Sequence, residues 1–69
     1  MKTTLILLLY DMLLGGKAVS RAEFCEEHSL SERTFYRYLR EVSAFLRTYK
    51  ADCVVDMADR EGRYFLKRV

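Results

Sequence analysis

One stretch of the sequence, residues 31–47, constrains the fold more than any other. It reads SERTFYRYLREVSAFLR and opens with Ser31, a residue type that caps helices well. Its apolar side chains recur at intervals of four, three and four residues, the spacing of one helix face: Phe35, Leu39, Val42 and Leu46. The stretch therefore predicts an amphipathic helix whose apolar side must be covered by the rest of the chain.

The other side of this predicted helix is basic. At about 100° per residue, four arginines gather within roughly 80° of each other, with Tyr36 at the edge of the row: Arg33, Arg37, Arg40 and Arg47. A tight row of guanidinium groups indicates a DNA recognition helix. Many such rows are only a solvated helix face, however, and Glu41 breaks the flank of this one. The row alone leaves both interpretations open.

Length and charge set limits on the partners. With 69 residues, of which 51% are apolar, the chain has the size of one small domain with a single core. Twelve basic and ten acidic residues give a net charge of only +2, which by itself does not indicate a nucleic-acid partner. The distribution is more informative, because Glu23, Glu26 and Glu27 cluster just before the arginine row.

The predicted fold is α+β, with three helices followed by a C-terminal β-hairpin, in a single domain that spans residues 1–69. We expect the helices at about 4–14, 21–28 and 32–48, and the hairpin at about 53–67. Only three or four residues separate the second and third helices, so these two must cross sharply. A charged loop with a glycine at its end joins the two alternating runs of the hairpin, CVVDM and RYFLK.

Local signals mark the ends of the first two helices. Thr3 or Thr4 is expected to cap the first helix, and Gly15-Gly16 to stop it. Ser20-Arg-Ala-Glu23 has the form of a capping box and starts the second helix. The second helix is short, and we expect three residues on its inner side: Ala22, Phe24 and Cys25.

The first helix is apolar on two sides. Its inward stripe is expected to comprise Leu5, Ile6, Leu9, Met12 and Leu13. Leu7, Tyr10 and Leu14 lie on roughly the opposite side, and a monomer of this size gains nothing by exposing all three. Two interpretations follow: the helix is buried nearly all round, or this second face contacts another copy of the chain or a following domain.

The N-terminal apolar run and the cysteines favour a cytoplasmic protein that is not inserted in a membrane. The run from Leu5 to Tyr10 is interrupted by Asp11, is too short to span a bilayer and lacks a small-x-small cleavage pattern. Cys25 and Cys53 are too few to form a disulfide framework, which favours a reducing compartment.

No motif for metal binding or catalysis stands out. Cys25 and His28 are three residues apart, and Cys53 could supply a third ligand, but the paired spacings of zinc sites are missing. Neither a nucleophile elbow nor a phosphate-binding loop accompanies His28. We therefore expect neither a metal nor another cofactor, and no enzymatic activity.

Several residues at fixed offsets carry a family resemblance. The segment Phe24-Cys25, then EEHSL, then Ser31-Glu-Arg-Thr-Phe-Tyr-Arg-Tyr-Leu39 follows a pattern of Leu-Ala, a short turn, and Ser-x-Arg-Thr-aliphatic-x-Arg-Asp-aliphatic. The closing Gly62-Arg-Tyr-Phe-Leu66 is similar to a Gly-Tyr-x-Leu wing end with one residue inserted. Together they resemble the winged helix-turn-helix of bacterial transcription regulators, of the type found in DeoR-like and WYL-domain regulators and in the biotin repressor.

The chain departs from that pattern at three positions. Cys25 replaces a small alanine at the helix crossing, a mild enlargement. Ser29 stands where the family usually has a turn glycine, so a left-handed backbone there would carry strain. Tyr38 replaces a frequent aspartate, so the contacts that the family makes around this position do not transfer.

The resemblance implies double-stranded DNA as the partner, with the third helix in the major groove. It assigns base contacts to Arg33, Thr34 and Arg37, and we expect backbone contacts from Ser31, Tyr36, Arg40 and Arg47. In the wing, the resemblance places Arg60 and Arg63 at the flanking backbone or the minor groove, although Arg60 is equally well explained as an ordinary loop charge. Two copies are expected to pair through the face formed by Leu7, Tyr10 and Leu14. The alternatives are a winged helix that binds proteins, and a module that regulates a C-terminal effector domain if the natural chain continues.

Overall fold

The computed structural model describes residues 2–68, in which three helices and a three-stranded sheet enclose one core. In chain order the elements are α1 (Lys2–Leu14), β1 (Val19–Ser20), α2 (Arg21–His28), α3 (Glu32–Tyr49), β2 (Cys53–Met57) and β3 (Arg63–Arg68). The predicted α+β winged helix-turn-helix, with a C-terminal hairpin as its wing, is confirmed.

The first helix begins earlier than its sequence signals indicate. Because α1 already includes Lys2, Thr3 and Thr4 lie inside it, and the predicted cap at one of these threonines is wrong. The end is as predicted: α1 stops at Leu14, and the next residue, Gly15, donates its N–H to Asp11 O at 3.0 Å.

The second helix is short, and one large side chain, Phe24, anchors it to the core. Ser20 caps it, since its hydroxyl accepts the N–H of Glu23 at 3.3 Å. Phe24 is buried and Cys25 half-buried, but Ala22 is exposed, so the expectation that it faces inward is wrong. At 100° per residue Ala22 lies about 200° from Phe24, on the opposite side of the helix.

The turn between α2 and α3 contains a strained serine. Ser29 has φ 54° and ψ 47°, the left-handed conformation that usually calls for glycine. There its N–H points to the carbonyls of Cys25 and Glu26, and Leu30 donates its own N–H to Cys25 O at 2.8 Å. The strain expected at this position is therefore present, and these hydrogen bonds hold it in place.

The third helix supplies the largest part of the core. Ser31 caps it by accepting the N–H of Thr34 at 3.2 Å. Its apolar face is buried at five positions, the four predicted ones and Tyr38: Phe35, Tyr38, Leu39, Val42 and Leu46. These side chains meet buried residues from the other helices and from β1: Leu9, Leu13, Val19 and Phe24.

The antiparallel sheet has the order β1-β3-β2, so the last strand of the chain lies in its centre. Tyr64 on β3 pairs with Val19 on one side and Met57 on the other. The loop between β2 and β3 closes with Ala58 N–H donating to Arg63 O at 2.7 Å. The wing is therefore anchored to the segment just before α2.

We expect Ser29→Gly to stabilise the domain by about 0.5–1 kcal/mol. Glycine removes the cost of a left-handed backbone, about 1–2 kcal/mol, but makes the unfolded chain more flexible, which offsets part of this gain. Thermal unfolding followed by circular dichroism should show a melting temperature several degrees higher. Ser29→Ala, which removes the hydroxyl but keeps the Cβ, should give no increase. A glycine variant that melts at or below the wild-type temperature contradicts this account.

Candidate nucleic-acid interface

The four arginines of α3 are exposed along one side of the helix: Arg33, Arg37, Arg40 and Arg47. Among residues 2–68, none of them takes part in an ion pair, and neighbouring Glu41 neutralises none. The apolar seam on the opposite side of α3 is buried, so the orientation of the row is fixed by the core. The helix presents four free positive charges in one direction.

The length of α3 separates this row into two parts. Arg33 and Arg47 are fourteen residues apart, which corresponds to about 21 Å along the axis. The major groove of B-DNA is about 12 Å wide, so a helix crossing it cannot bring both ends to the bases. Arg47 lies in the last turn, in a groove against Val54 and Val55 of β2. A cation there is also favoured by the helix dipole.

At the start of α3 the hydroxyl groups of Ser31 and Thr34 form a hydrogen bond with each other. The Ser31 hydroxyl donates to Thr34 Oγ1 at 3.0 Å while it accepts the Thr34 N–H. Its hydrogen is thus already used, whereas Thr34 acts as the acceptor in this pair. Of the two, Thr34 keeps its own hydroxyl hydrogen for another partner.

Tyr36 lies at the centre of a polar contact that joins three elements. Its hydroxyl accepts a hydrogen bond of 2.7 Å from the Nη1 of Arg21, the first residue of α2. The guanidinium carbon of Arg21 lies 5.9 Å from the centre of the Tyr36 ring. On the other side, the rings of Tyr36 and Tyr64 meet edge to face at 6.4 Å between centroids.

These contacts shift the pKa values of the two phenols, Tyr36 and Tyr64, in opposite directions. Hydrogen bonding from Tyr64, and then from Arg21, lowers the pKa of Tyr36. Burial, together with donation to Tyr36, raises the pKa of Tyr64. The Tyr36 oxygen accepts the hydrogen bond of Arg21, and accepting a hydrogen bond stabilises the phenolate.

Arg21 is the residue that the sequence analysis missed. Its guanidinium comes within 3.9 Å of Glu32 at the start of α3, and its pKa is raised, first by the bond to Tyr36 and then by this carboxylate. Only its position directly after the capping Ser20 was visible in the sequence. Its partners are 11 and 15 residues away in the chain, and only the helix crossing brings them together.

The two wing arginines differ in their surroundings. The guanidinium of Arg63 lies 3.6 Å from the Asp59 carboxylate and 3.2 Å from that of Glu61. Arg60 is exposed, and within the part of the chain that the structure describes it forms no ion pair. Of the two predicted wing contacts, Arg60 has its charge available and Arg63 is held inside the loop.

The outer face of α1 is exposed rather than covered. Leu7 and Leu14 expose 61% and 47% of their surface, so within this chain α1 is not buried all round. Tyr10 is half-buried, and its ring packs edge-on against Phe45 of α3 at 5.5 Å. Phe45 in turn lies 5.1 Å from the ring of Tyr49. These five residues form an apolar ridge across α1 and the second half of α3.

The half-buried Cys25 contacts the end of the turn between α2 and α3. Its thiol is directed at Ser31 O, with a sulfur–oxygen distance of 3.7 Å, and burial raises the pKa of the thiol. Cys25 and Cys53 are both free cysteines. Within residues 2–68, no helix is long and apolar enough to cross a membrane.

The helical crossing, the capped and basic α3 and the hairpin wing define a winged helix-turn-helix domain. A family model matches residues 1–53, from α1 to the first residue of β2, and it describes the Mga helix-turn-helix domain. Because this match covers well over half of the chain, the protein belongs to that family. No curated protein and no solved structure matches the chain significantly.

Family membership assigns the chain to the DNA-binding domains used in transcription regulation. It supports the helix-turn-helix part of the predicted resemblance, but not the specific likeness to DeoR-like or WYL-domain regulators or to the biotin repressor. The match ends at Cys53, before most of the wing.

We expect the combined change Asp59→Asn and Glu61→Gln to strengthen binding to duplex DNA several-fold. Both substitutions release Arg63, and the amide introduced by Asp59→Asn keeps a side-chain oxygen to accept the backbone N–H of residue 61, a bond of 2.9 Å in the wild type. The plot of log affinity against log salt should steepen by about one unit if Arg63 then reaches a phosphate. The double change Asp11→Asn and Asp52→Asn, which removes the same number of negative charges at exposed positions outside the loop between β2 and β3, serves as the control. Unchanged affinity and slope would place Arg63 away from the DNA backbone.

Proposed function

We propose that this domain binds specific sequences of double-stranded DNA as a bacterial-type transcription regulator in the cytoplasm. The observation that carries the proposal is the row of four unpaired arginines on α3, whose direction the buried seam fixes. In this arrangement the first half of α3 lies in the major groove and the wing lies over the flanking backbone, in the manner of DeoR-like winged helices.

Base recognition falls to the N-terminal half of α3. Arg33 and Arg37 are exposed there, one turn apart. Either guanidinium can give a guanine two parallel hydrogen bonds, to its N7 and O6 atoms. Thr34 sits between them with a methyl group suited to thymine and a hydroxyl that can still donate.

The residues proposed to contact the DNA backbone lie around these base-reading residues. Arg40 lies one turn further along α3, and Arg47 lies at its far end, where the helix has passed beyond the bases. Ser31 can turn its hydroxyl toward a phosphate only by giving up its bond to Thr34. In the wing, Arg60 is the available cation, and Arg63 joins it only when it leaves Asp59 and Glu61.

Two copies of the domain are proposed to act together through the apolar ridge. A single module of this size buries limited surface on DNA, and pairing on a two-fold site supplies the missing affinity. Among residues 2–68, four of the seven large apolar side chains that are exposed lie in the ridge, and its α1 part is the face predicted from the sequence. If the natural chain is longer, a C-terminal effector domain is the competing occupant.

The second candidate function is binding of an acidic protein by the same basic face of α3. It is favoured by the small net charge of +2, which gives the whole domain little attraction for DNA. A titration with random-sequence duplex at low and at moderate salt separates the two functions. DNA binding must be measurable at low salt and must weaken steeply as salt rises. If no duplex is bound even at low salt, the DNA proposal is wrong.

Arginine substitutions should separate base contacts from backbone contacts. Arg37→Ala is expected to weaken binding to the preferred duplex by about 1–3 kcal/mol and to relax the preference at one base pair. Arg40→Ala should weaken all duplexes alike and reduce the salt slope by about one. Titrations against a set of duplexes with single base changes measure both effects. An Arg37→Ala loss that is the same for every sequence would rule out its role as a base reader.

Leu7→Lys should prevent pairing without unfolding the domain, because Leu7 is 61% exposed. We expect it to abolish cooperative binding to a duplex with two half-sites and to leave half-site binding nearly unchanged. Ala18→Lys, at an exposed position outside the helices, is the matched control. Sedimentation velocity of the complexes gives the stoichiometry. Persistent cooperativity in Leu7→Lys would exclude the ridge as the pairing surface.

A further inference from the structure

At Arg21, the start of α2 is joined by hydrogen bonds to both α3 and the wing. The backbone N–H of Arg21 donates to Gly62 O at 2.9 Å, which ties the start of α2 to the wing. Its guanidinium bonds Tyr36 on α3 and approaches Glu32 at the start of the same helix. The side chain is 27% exposed and fixed from several directions.

Gly62 leaves the space that this guanidinium fills. It is buried and has φ +85°, a conformation that glycine adopts without strain. A Cβ at this position would lie 3.1 Å from both the Cζ and the Nη1 of Arg21. The wing therefore approaches α2 closely only because the residue is glycine, and the Arg21 side chain lies against that backbone.

The hydrogen bonds of Tyr36 leave one direction open. Its oxygen accepts from Arg21 at 2.7 Å, and its ring meets edge to face the ring of Tyr64, which belongs to the central strand of the sheet. Because this oxygen acts as the acceptor for Arg21, the hydroxyl hydrogen of Tyr36 remains to be donated outward. The side chain is 38% exposed and lies next to the arginine row.

We propose that Arg21, Tyr36 and Tyr64 form one phosphodiester-binding unit at the junction of α3 and the wing. The Tyr36 hydroxyl donates to a non-bridging oxygen of a DNA phosphate, and Arg21 and Tyr64 are positioning residues that orient it. This inference rests on the proposed function, and it adds two residues that the helix-turn-helix pattern does not identify.

Two physical effects make the arrangement a better phosphate ligand than an isolated tyrosine. A hydroxyl that accepts a hydrogen bond from a cation becomes a stronger donor, because the bonds polarise each other. The lowered pKa of Tyr36 is consistent with this polarisation. The phenol is also held from both sides, so little side-chain freedom is lost when a phosphate binds.

The buried Nε of Arg21 points to the same role. Within the described residues this N–H has no hydrogen-bond acceptor, and the nearest carboxylate oxygen, from Glu32, is 3.9 Å away. A buried donor left without a partner is uncommon in folded proteins and is often found where a residue is placed for function. The guanidinium is thus oriented by its Nη1 bond to Tyr36, with Nε on the side of Glu32.

The test combines hydroxyl deletions with single neutral phosphates in the DNA. A duplex enriched by the domain from random sequence is prepared with one methylphosphonate at a time along the site. In the wild type, we expect one position next to the wing to lose about tenfold in affinity, as for a hydrogen bond to a charged group. In Tyr36→Phe, binding to the unmodified duplex should fall by a similar factor, and the same methylphosphonate should have no further effect.

The positioning residues are tested at that same phosphate. Tyr64→Phe should weaken binding by about two- to fivefold and reduce the penalty of that one methylphosphonate, as expected for coupled neighbours. Arg21→Lys should retain more of the penalty than Arg21→Gln, because lysine can still donate to Tyr36. Thr48→Val, which deletes an exposed hydroxyl near the far end of α3 that bonds only Ala44 O among the described residues, is the matched control and should change nothing.

The outcomes distinguish this inference from the function on which it rests. Thermal melts confirm that each variant is folded before titration. If the wild type binds DNA but Tyr36→Phe keeps both its affinity and the full methylphosphonate profile, the phosphodiester-binding unit is wrong and DNA binding stands. If Tyr64→Phe and Arg21→Gln leave the profile of the wild type intact, Tyr36 acts alone and the unit is likewise wrong. If the wild type binds no duplex, both proposals fall.

Discussion

The structure depends on the burial of Phe35. This side chain is fully buried and lies 5.6 Å from the ring of Phe24 in α2 and 5.8 Å from that of Tyr64 in β3. One ring therefore fixes the crossing of the two helices and the approach of the wing at the same time. Burial of a phenylalanine contributes about 1.5–3 kcal/mol, a large share of the stability of so small a domain.

Everything on the exposed side of α3 follows from this constraint. Because Phe35 and the rest of the seam face inward, the arginine row must face outward, and Tyr36, the next residue along, reaches Arg21 and Tyr64 at the edge of the wing. The core and the candidate interface are two faces of one helix. The same packing that stabilises the domain orients the groups that are proposed to contact DNA.

The sequence predicted the parts that depend on local chemistry. Ser20 and Ser31 cap their helices and the seam of α3 is buried, both visible as residue types at fixed spacing. Strain at Ser29 was expected only if its backbone were left-handed, and the structure shows that it is. The ion pairs of the wing arginines and the contacts of Tyr36 were not predictable in this way. Arg63 is held by Asp59 and Glu61 through the geometry of a loop, and Arg21 meets Tyr36 only because two helices cross. The outer face of α1 allowed two interpretations, and the exposure of Leu7 excludes the one in which this chain buries the helix all round, whereas contact with a second copy stays a proposal.

The central claim is that the first half of α3 reads guanine in the major groove. It is tested most directly by replacing single guanines with 7-deazaguanine in a duplex enriched by the domain, since this removes the N7 acceptor and leaves base pairing intact. We predict that at least one such replacement weakens binding about fivefold or more, while inosine at the same position, which lacks only the minor-groove amino group, has little effect. If no 7-deazaguanine weakens binding, or if inosine does so instead, α3 does not read bases in the major groove.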